Sequence, residues 1–450
     1  MLVVGAARSG IAATEFLLGR GARVVLTDRL SEDALAAAVA PLMVKAQYSG
    51  ELVLELGGHN PESFRRCDLV VVSPGIPLTL PFFDESRKAG IPVIAEVELA
   101  FRHLKGRILG ITGSNGKTTT TALLAELLRG AGLRGHAAGN IGVPLISFTA
   151  RSTAEDIYAT ELSSFQLEGI LDFRPRIAAV LNLTPDHLDR YSDFDSYTAA
   201  KKRIFMNQTR SDFAVLNADD PLTAQLADQV HSKPLLFSRR SALKRGAYLN
   251  GGNLIYREGT KEHVLCSTQE IKLKGQHNLE NVLAACTIAL LSGAMPEKLR
   301  EVVKNFPGVE HRLEWVAEID GVQYYNDSKA TNVDAARKSL EAFPGNIHWI
   351  AGGRDKGGDF RTLRSLIGQR VKRIILLGEA ASKIREALGG QADISDALSL
   401  PEAVRHCKSR ARPGDVVLLA PACASFDMFI DYEHRGRVFK DAVRKLATER

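Results

Sequence analysis

The clearest chemistry in this chain lies in a glycine-rich turn that carries a lysine and three threonines. In Ile108-Leu109-Gly110-Ile111-Thr112-Gly113-Ser114-Asn115-Gly116-Lys117-Thr118-Thr119-Thr120, a short apolar run leads into a tight turn and the start of a helix. Gly113 and Gly116 allow the backbone to bend, and a nest of backbone N–H groups at a helix N-terminus is an anion site. Lys117 adds a cation, and Thr118 offers a hydroxyl to phosphate-bound Mg²⁺. Ser114, Asn115 and Thr119 complete the cradle. ATP is the expected ligand, although the motif alone admits GTP. The strict GxxxxGK[ST] pattern is not met, because the glycines stand at Gly110 and Gly113. A plain strand–turn–helix junction with an incidental lysine is the alternative; GK followed by three threonines after an apolar strand argues against it.

Other candidate groups also stand where strands end. Glu161, after Ile157–Thr160, reads as a carboxylate for Mg²⁺ or as an acid favoured by a helix dipole. His187 lies between Asp186 and Asp189; histidine is an unusual Mg²⁺ ligand, so the residues leave its role open. Lys201 and Lys202 fall on a helix, where a solvated face is the simplest reading. Asn326-Asp327-Ser328-Lys329-Ala330-Thr331-Asn332 reads as an acceptor for ribose hydroxyls and a carboxylate site, or as an N-cap cluster. Gly352-Gly353-Arg354-Asp355-Lys356-Gly357-Gly358 reads as an anion-binding loop, and Ala422-Cys423-Ala424-Ser425-Phe426-Asp427 follows the last clear strand. Open α/β sheets bind ligands at such carboxyl ends.

The elements that must position these groups form three strand–helix series, so the expected fold is α/β with three domains. Residues 1–104 read as a Rossmann-like N-terminal domain with strands at Leu2–Gly5, Arg23–Thr27, Leu69–Ser73 and Pro92–Ala95. Its Gly5-Ala6-Ala7-Arg8-Ser9-Gly10 turn, followed by Asp28, occupies the place of a dinucleotide fingerprint but lacks its glycine pattern. Residues 105–309 read as a central ATP-binding domain with a mixed sheet, including a hairpin at Asn250-Gly251-Gly252-Asn253. Residues 310–450 read as a Rossmann-like C-terminal domain with strands at Val322–Tyr325, His348–Ala351, Arg373–Leu377 and Val416–Leu419.

Bulk properties narrow the class. A chain of 450 residues suits about three domains. No apolar stretch reaches the roughly 18–20 residues of a membrane span, and the N-terminus reads as a strand, so neither membrane insertion nor a signal peptide is expected. Five cysteines without a CxxC pair fit a reduced cytoplasm; Cys423 is expected to pack rather than attack. The net charge of +6 is spread without a Lys/Arg block, which favours anionic small substrates over nucleic acid. The missing glycines argue against an NAD-dependent dehydrogenase. A non-catalytic nucleotide- or nucleic-acid-binding protein is the other class considered.

Together, TGSNGKTTT, ELSSFQL, NLTPDHLDRY, YTAAK, NADDP, GQHNLENVLAA and HRLE resemble the Mur ligase family, the ATP-dependent amide ligases of peptidoglycan synthesis. The resemblance spans essentially the whole chain. SPGI, NDSKATN and APACASFDMF are similar to the branch that adds D-glutamate to UDP-N-acetylmuramoyl-L-alanine; another amino acid acceptor is the alternative. The resemblance implies that Lys117, Thr118 and Glu161 serve ATP and one Mg²⁺, and that His187 serves a second. Lys201 would be carbamylated and support the metal site. Asn281, Arg312 and Asp327 would lie on the adenine, phosphate and ribose sides of ATP. It also implies that Ser9, Asp28, Arg29, Ser73, Gly75 and Asn140 face the UDP-substrate. Lys329, Thr331, Lys356, Ser425 and Tyr432 would receive D-glutamate; Tyr432 stands where some relatives have Phe. A cytoplasmic monomer is expected, with domain closure gathering the three substrates.

Overall fold

In the computed structural model, which describes residues 1–140, 142–185, 190–273, 275–355 and 357–448, the chain builds three sheets. The first is fully parallel, in the order Glu51–Leu56, Arg23–Asp28, Leu2–Val4, Val70–Val72 and Val93–Ala95. Its inner strands Leu2–Val4 and Val70–Val72 are wholly aliphatic, and Arg23–Asp28 carries an aliphatic centre, as a parallel sheet covered on both faces requires. Glu51–Leu56 was not among the expected strands. It forms an edge, and Glu51 and Glu55 blur the apolar run.

The central sheet has nine strands. Six are parallel neighbours around Arg107–Thr112, which lies between Ile177–Val180 and Asp156–Glu161. Gly246–Asn250 extends the parallel run, and the tail then turns antiparallel through Asn253–Glu258 and Lys261–Ser267. The expected hairpin is present: Asn250 pairs with Asn253, and Gly251 and Gly252 both take positive φ, as a two-residue primed turn demands. The third sheet follows the order Glu314–Ile319, Val322–Asn326, Val416–Leu419, Ile347–Gly352, Val371–Leu377 and Asp393–Asp396, with only the first strand antiparallel. Trp349 and Ile374 pack on one face of this sheet and Ile350 and Ile375 on the other, the period-2 alternation of strands.

The backbone gathers into two compact units, Met1–Glu270 with Leu279–Lys304, and Ile271–Asn278 with Asn305–Arg450. In the first unit one apolar core runs from Val3, Leu17 and Ala100 through Ile146 and Phe173 to Leu216. Two buried carboxylates on the helix Glu96–Phe101 reinforce this continuity. Glu98 accepts the backbone N–H groups of Leu171, Asp172 and Phe173 at 2.9, 3.1 and 2.8 Å, and Nε of Arg102 at 2.9 Å. Among the described residues Glu96 accepts only the N–H of Ile146, at 2.7 Å. Its second oxygen is buried with no hydrogen-bond partner among the described residues, and burial pushes its carboxyl up to about 7.

That shift sets a pH dependence. An unfolded Glu96 ionises near 4.5, whereas the folded one holds its proton to about 7. Its contribution is therefore complete below about pH 4.5 and is lost as the pH rises through 7, a change of roughly 3 kcal/mol. Glu96→Gln keeps an acceptor for Ile146 and cannot ionise. Urea unfolding at pH 5 and pH 8 is expected to show a smaller stability loss in the variant than in the parent; equal losses would assign the dependence to other groups.

Candidate functional site

Turn geometry and side-chain hydrogen bonds both shape the phosphate loop. Gly113 and Gly116 take φ of 149° and 84°, and the helix Lys117–Gly130 starts without a side-chain cap. Its first N–H groups are thus not satisfied by a capping side chain, the state that suits an anion. The loop is bound to the segment after Ile177–Val180. Ser114 N–H donates to Asn182 O at 3.0 Å, Asn115 N–H to Asn182 Oδ1 at 2.8 Å, and Ser114 Oγ to Thr184 O at 2.8 Å. Lys117 Nζ donates to the carbonyls of Gly113 and Ser114, both at 2.9 Å. Thr118 and Thr119 are buried in the first helical turn.

Asn281 meets this loop from the helix Gln276–Leu291. A Cβ added at Gly116 would lie 2.1 Å from Asn281 Oδ1. Steric fit and left-handed φ both require glycine here. Gly116→Ala is expected to weaken ATP binding about tenfold, the scale of 1–2 kcal/mol of backbone strain. Titration with a fluorescent ATP analogue measures this directly, and unchanged affinity would show that the loop relaxes at no cost.

Lys201 corrects the simplest reading of its helix. Phe194–Lys202 turns Lys202 to solvent but buries Lys201 at 2% exposure. Adjacent residues on a helix point about 100° apart, and here that separates a surface lysine from a site lysine. Lys201 Nζ donates to Gly113 O at 3.0 Å and sits 4.6 Å from the Tyr197 ring centre. Tyr197 in turn donates its hydroxyl to Ser114 Oγ at 3.0 Å. The structure therefore joins Lys117, Lys201, Tyr197 and Ser114 around one loop.

Glu161 closes its strand next to the phosphate-loop strand, with Ile111 as its register partner. It is 2% exposed; Oε1 accepts Asn140 Nδ2 at 3.3 Å, and Oε2 has no hydrogen-bond partner among the described residues. A buried carboxylate oxygen left without a donor, beside a loop carrying the Thr118 hydroxyl, is a hard-oxygen donor set that fits Mg²⁺. His187 and Lys356 lie outside the described residues.

In the first sheet the expected nucleotide turn is held from within. Asp28 accepts the N–H groups of Ala6 and Leu30 at 2.7 and 2.9 Å, so both its oxygens serve the turn. Ser73 is buried and donates to Gly5 O at 2.8 Å. Ser9 is half-buried near the start of the helix Arg8–Leu18, and Arg29 is exposed. Arg190, which the sequence reading did not single out, donates to the carbonyls of Gly75 and Ile76 at 3.3 and 3.1 Å. Its guanidinium also stacks 3.7 Å from the Phe165 ring centre.

In the second unit, three loops at carboxyl ends of strands are joined by backbone bonds. Ala422 N–H donates to Ala330 O, and Arg354 and Ala424 exchange N–H···O bonds, all at 2.9 Å. Ala422 takes a φ of 61° to make the turn. This brings Asp327, Lys329, Thr331 and Ser425 onto neighbouring loops. Half-buried Asp327 loses water, which pushes its carboxyl up to about 6 despite the Ser339 hydroxyl and the nearby Arg312. Lys329 Nζ lies 5.1 Å from the Tyr432 ring centre, a cation–π contact, while the added Tyr432 hydroxyl donates to Glu433 at 3.0 Å. Cys423 is buried, and its thiol is pushed up to about 12, which suits packing rather than attack.

The principal residue missed by sequence reading is Arg435, 1% exposed at the centre of these loops. It donates to Ser328 O at 2.8 Å, Ser328 Oγ at 3.0 Å and Cys423 O at 3.1 Å; burial pulls its guanidinium down to about 10. A signal was present: Arg435 sits on the inward stripe with Phe439 and Ala442, where an apolar residue is the ordinary choice.

Comparisons with known proteins agree across the chain. Residues 1–95 match the Mur ligase MurD-like N-terminal domain, residues 111–289 the Mur ligase middle domain, and residues 311–423 the Mur ligase glutamate ligase domain. The UDP-N-acetylmuramoylalanine–D-glutamate ligase of Acidobacterium capsulatum is 50% identical, over 98% of this chain and 95% of the relative. The enzyme of the same name from Koribacter versatilis is 46% identical, over 100% and 98%. Among solved structures, the UDP-N-acetylmuramate–alanine ligase of Thermotoga maritima superposes with a TM-score of 0.59 at 18% identity, covering 100% of this chain and 99% of that one. The MurF ligase of Thermotoga maritima in complex with ADP gives a TM-score of 0.57 at 18% identity, covering 86% and 97%.

Proposed function

The chain belongs to the Mur ligase family, and on that premise we propose that it joins D-glutamate to UDP-N-acetylmuramoyl-L-alanine in peptidoglycan precursor synthesis, with ATP as phosphoryl donor. The observation that carries this reading is the near-complete alignment, at about half identity, with a ligase of that name. The constellation of Lys117, Lys201 and Glu161 around one phosphate loop supports it.

In the proposed reaction a carboxylate oxygen of the L-alanyl group attacks the γ-phosphorus of ATP, and the bond to the β,γ-bridging oxygen breaks. ADP leaves and an acyl phosphate forms. The amine of D-glutamate then forms a C–N bond at the acyl carbon, loses a proton, and expels phosphate. Both first-step reactants are anions, so the site must neutralise charge and hold them in line. Lys117 and the N–H groups of the loop take the phosphates. Glu161 and Thr118 would hold one Mg²⁺ and His187 would help hold a second; the ions would offset the negative charge of the phosphates. The ammonium of Lys201 would first lose a proton, and its free amine with CO₂ would then yield a carbamate and a second proton, turning a buried cation into an anion beside those groups.

Asn281, Arg312 and Asp327 are assigned to the adenine, phosphate and ribose sides of ATP. Lys329, Thr331, Lys356, Ser425 and Tyr432 are assigned to D-glutamate, with Arg435 holding Ser328 and Cys423 in place. Ser9, Arg29, Gly75 and Asn140 are assigned to the UDP-substrate, while Asp28 and Ser73 shape its turn from within. Division at residues 104 and 309 separates the three binding roles. No helix among the described residues is long and apolar enough to cross a membrane. ATP and UDP-linked substrates occur in the cytoplasm, and the proposed reaction is placed there, on a monomer. Phosphate release with UDP-N-acetylmuramoyl-L-alanine and a panel of D- and L-amino acids tests the reading. Dependence on D-glutamate is expected; preference for another amino acid would move the chain to a different branch of the family.

A further inference from the structure

At the edge of the central sheet opposite the phosphate loop, the starts of three neighbouring strands place Arg107, Arg176 and Asp212 side by side. A cleft of about 280 Å³ opens there, lined by these residues and by Arg174, Phe101 and Leu104. Asp212 is buried and fixes two of the guanidinium groups, through Arg174 Nε at 2.8 Å and Arg176 Nη1 at 3.0 Å. Ser211 Oγ accepts a second bond from Arg176 Nη1 at 2.9 Å, and Thr209 Oγ1 accepts Arg174 Nη2 at 2.9 Å. These bonds hold one edge of each guanidinium and leave Nε and Nη2 of Arg176, and Nη1 of Arg174, unengaged by the described residues. The guanidinium of Arg107 has no hydrogen-bond or ion-pair partner among the described residues.

A clasp formed by Arg174, Asp212 and Arg176 would by itself be structural. It does not account for Arg107, nor for the outward donors of the other two arginines. Three arginines and one carboxylate line the cleft, and Phe101 and Leu104 supply an apolar wall that strengthens charge interactions beside it. Planar forks of preoriented donors suit the oxygens of a phosphate group. The wall belongs to the connector between Glu96–Phe101 and Arg107–Thr112, which Ser152 Oγ fixes by accepting Lys105 N–H at 3.0 Å.

We propose that this cleft binds a small phosphorylated molecule, its phosphate taken by Arg107 and Arg176 and its apolar part laid against Phe101 and Leu104. The site is separate from the phosphate loop and does not rest on the ligase reading. Calorimetric titration of the full chain with phenyl phosphate tests it, with Lys117→Ala used throughout to weaken the phosphate loop. Phenyl phosphate is expected to bind at least tenfold tighter than inorganic phosphate, and Arg107→Glu to weaken it at least tenfold further. Arg107 is exposed and unpaired, so its replacement leaves folding intact; a melting curve checks this. Absence of saturable heat, or binding indifferent to Arg107→Glu, would overturn the site. Benzoate binding tighter than phenyl phosphate would overturn the phosphate assignment.

Discussion

Replacing Lys117 with alanine is expected to lower kcat by about 100-fold or more, the scale of removing one transition-state contact, while leaving the fold intact. The side chain opens the helix that begins at the loop and reaches back over Gly113 and Ser114. It is thus held close to where phosphate oxygens would lie, and its charge opposes the repulsion between two anionic reactants. Gly113 O keeps a donor in Lys201, and Ser114 remains tied to Asn182 and Thr184, so the loop retains its shape without the lysine. Phosphate release under saturating substrates measures the effect, with a melting curve as control. Near-normal turnover would remove the loop from the mechanism.

Lys201→Ala is expected to abolish detectable turnover, with partial recovery on adding a short carboxylic acid such as acetate. A solvated lysine would not behave this way. Lys201 is buried against Gly113 O and the Tyr197 ring, so its loss empties a position that the rest of the site surrounds. If the functional group is the carbamate, a small carboxylate in the vacated space restores negative charge, and alanine leaves room for it. Lys202→Ala supplies the internal control. It is the next residue on the same helix but is exposed, and near-parent activity is expected. Incubating the parent protein with ¹³CO₂ should give a carbamate carbon signal that Lys201→Ala lacks. Full activity of the alanine variant without rescue would end the carbamate assignment.

Local rules account for the elements that were legible in advance. The strand Val416–Leu419 keeps its expected bounds, because an apolar run carries its own signal. The paired glycines of the hairpin tolerate positive φ wherever they stand. Strands with weak local signals were not foreseen. Arg134–Gly139 is made largely of glycine and alanine, and Asp393–Asp396 has one apolar residue; each is a strand because it adds to the edge of a sheet already formed. Propensity is a property of the segment, whereas pairing is a property of its neighbour.

The same division holds at the site. The order of residue types determined, by itself, that a phosphate loop precedes a helix, that Glu161 ends a strand, and that the family is one of amide-forming ligases. The family resemblance had already picked Lys201 over Lys202; only tertiary structure decided that Lys201 is buried on Gly113 O, that Asp28 serves its own turn, that Asn281 closes on Gly116, and that Arg435 organises the loops around Ser425. Each of those outcomes depends on groups far apart in sequence meeting in space. Burial and hydrogen-bond partnership are set by that meeting, and no short stretch of sequence contains both partners.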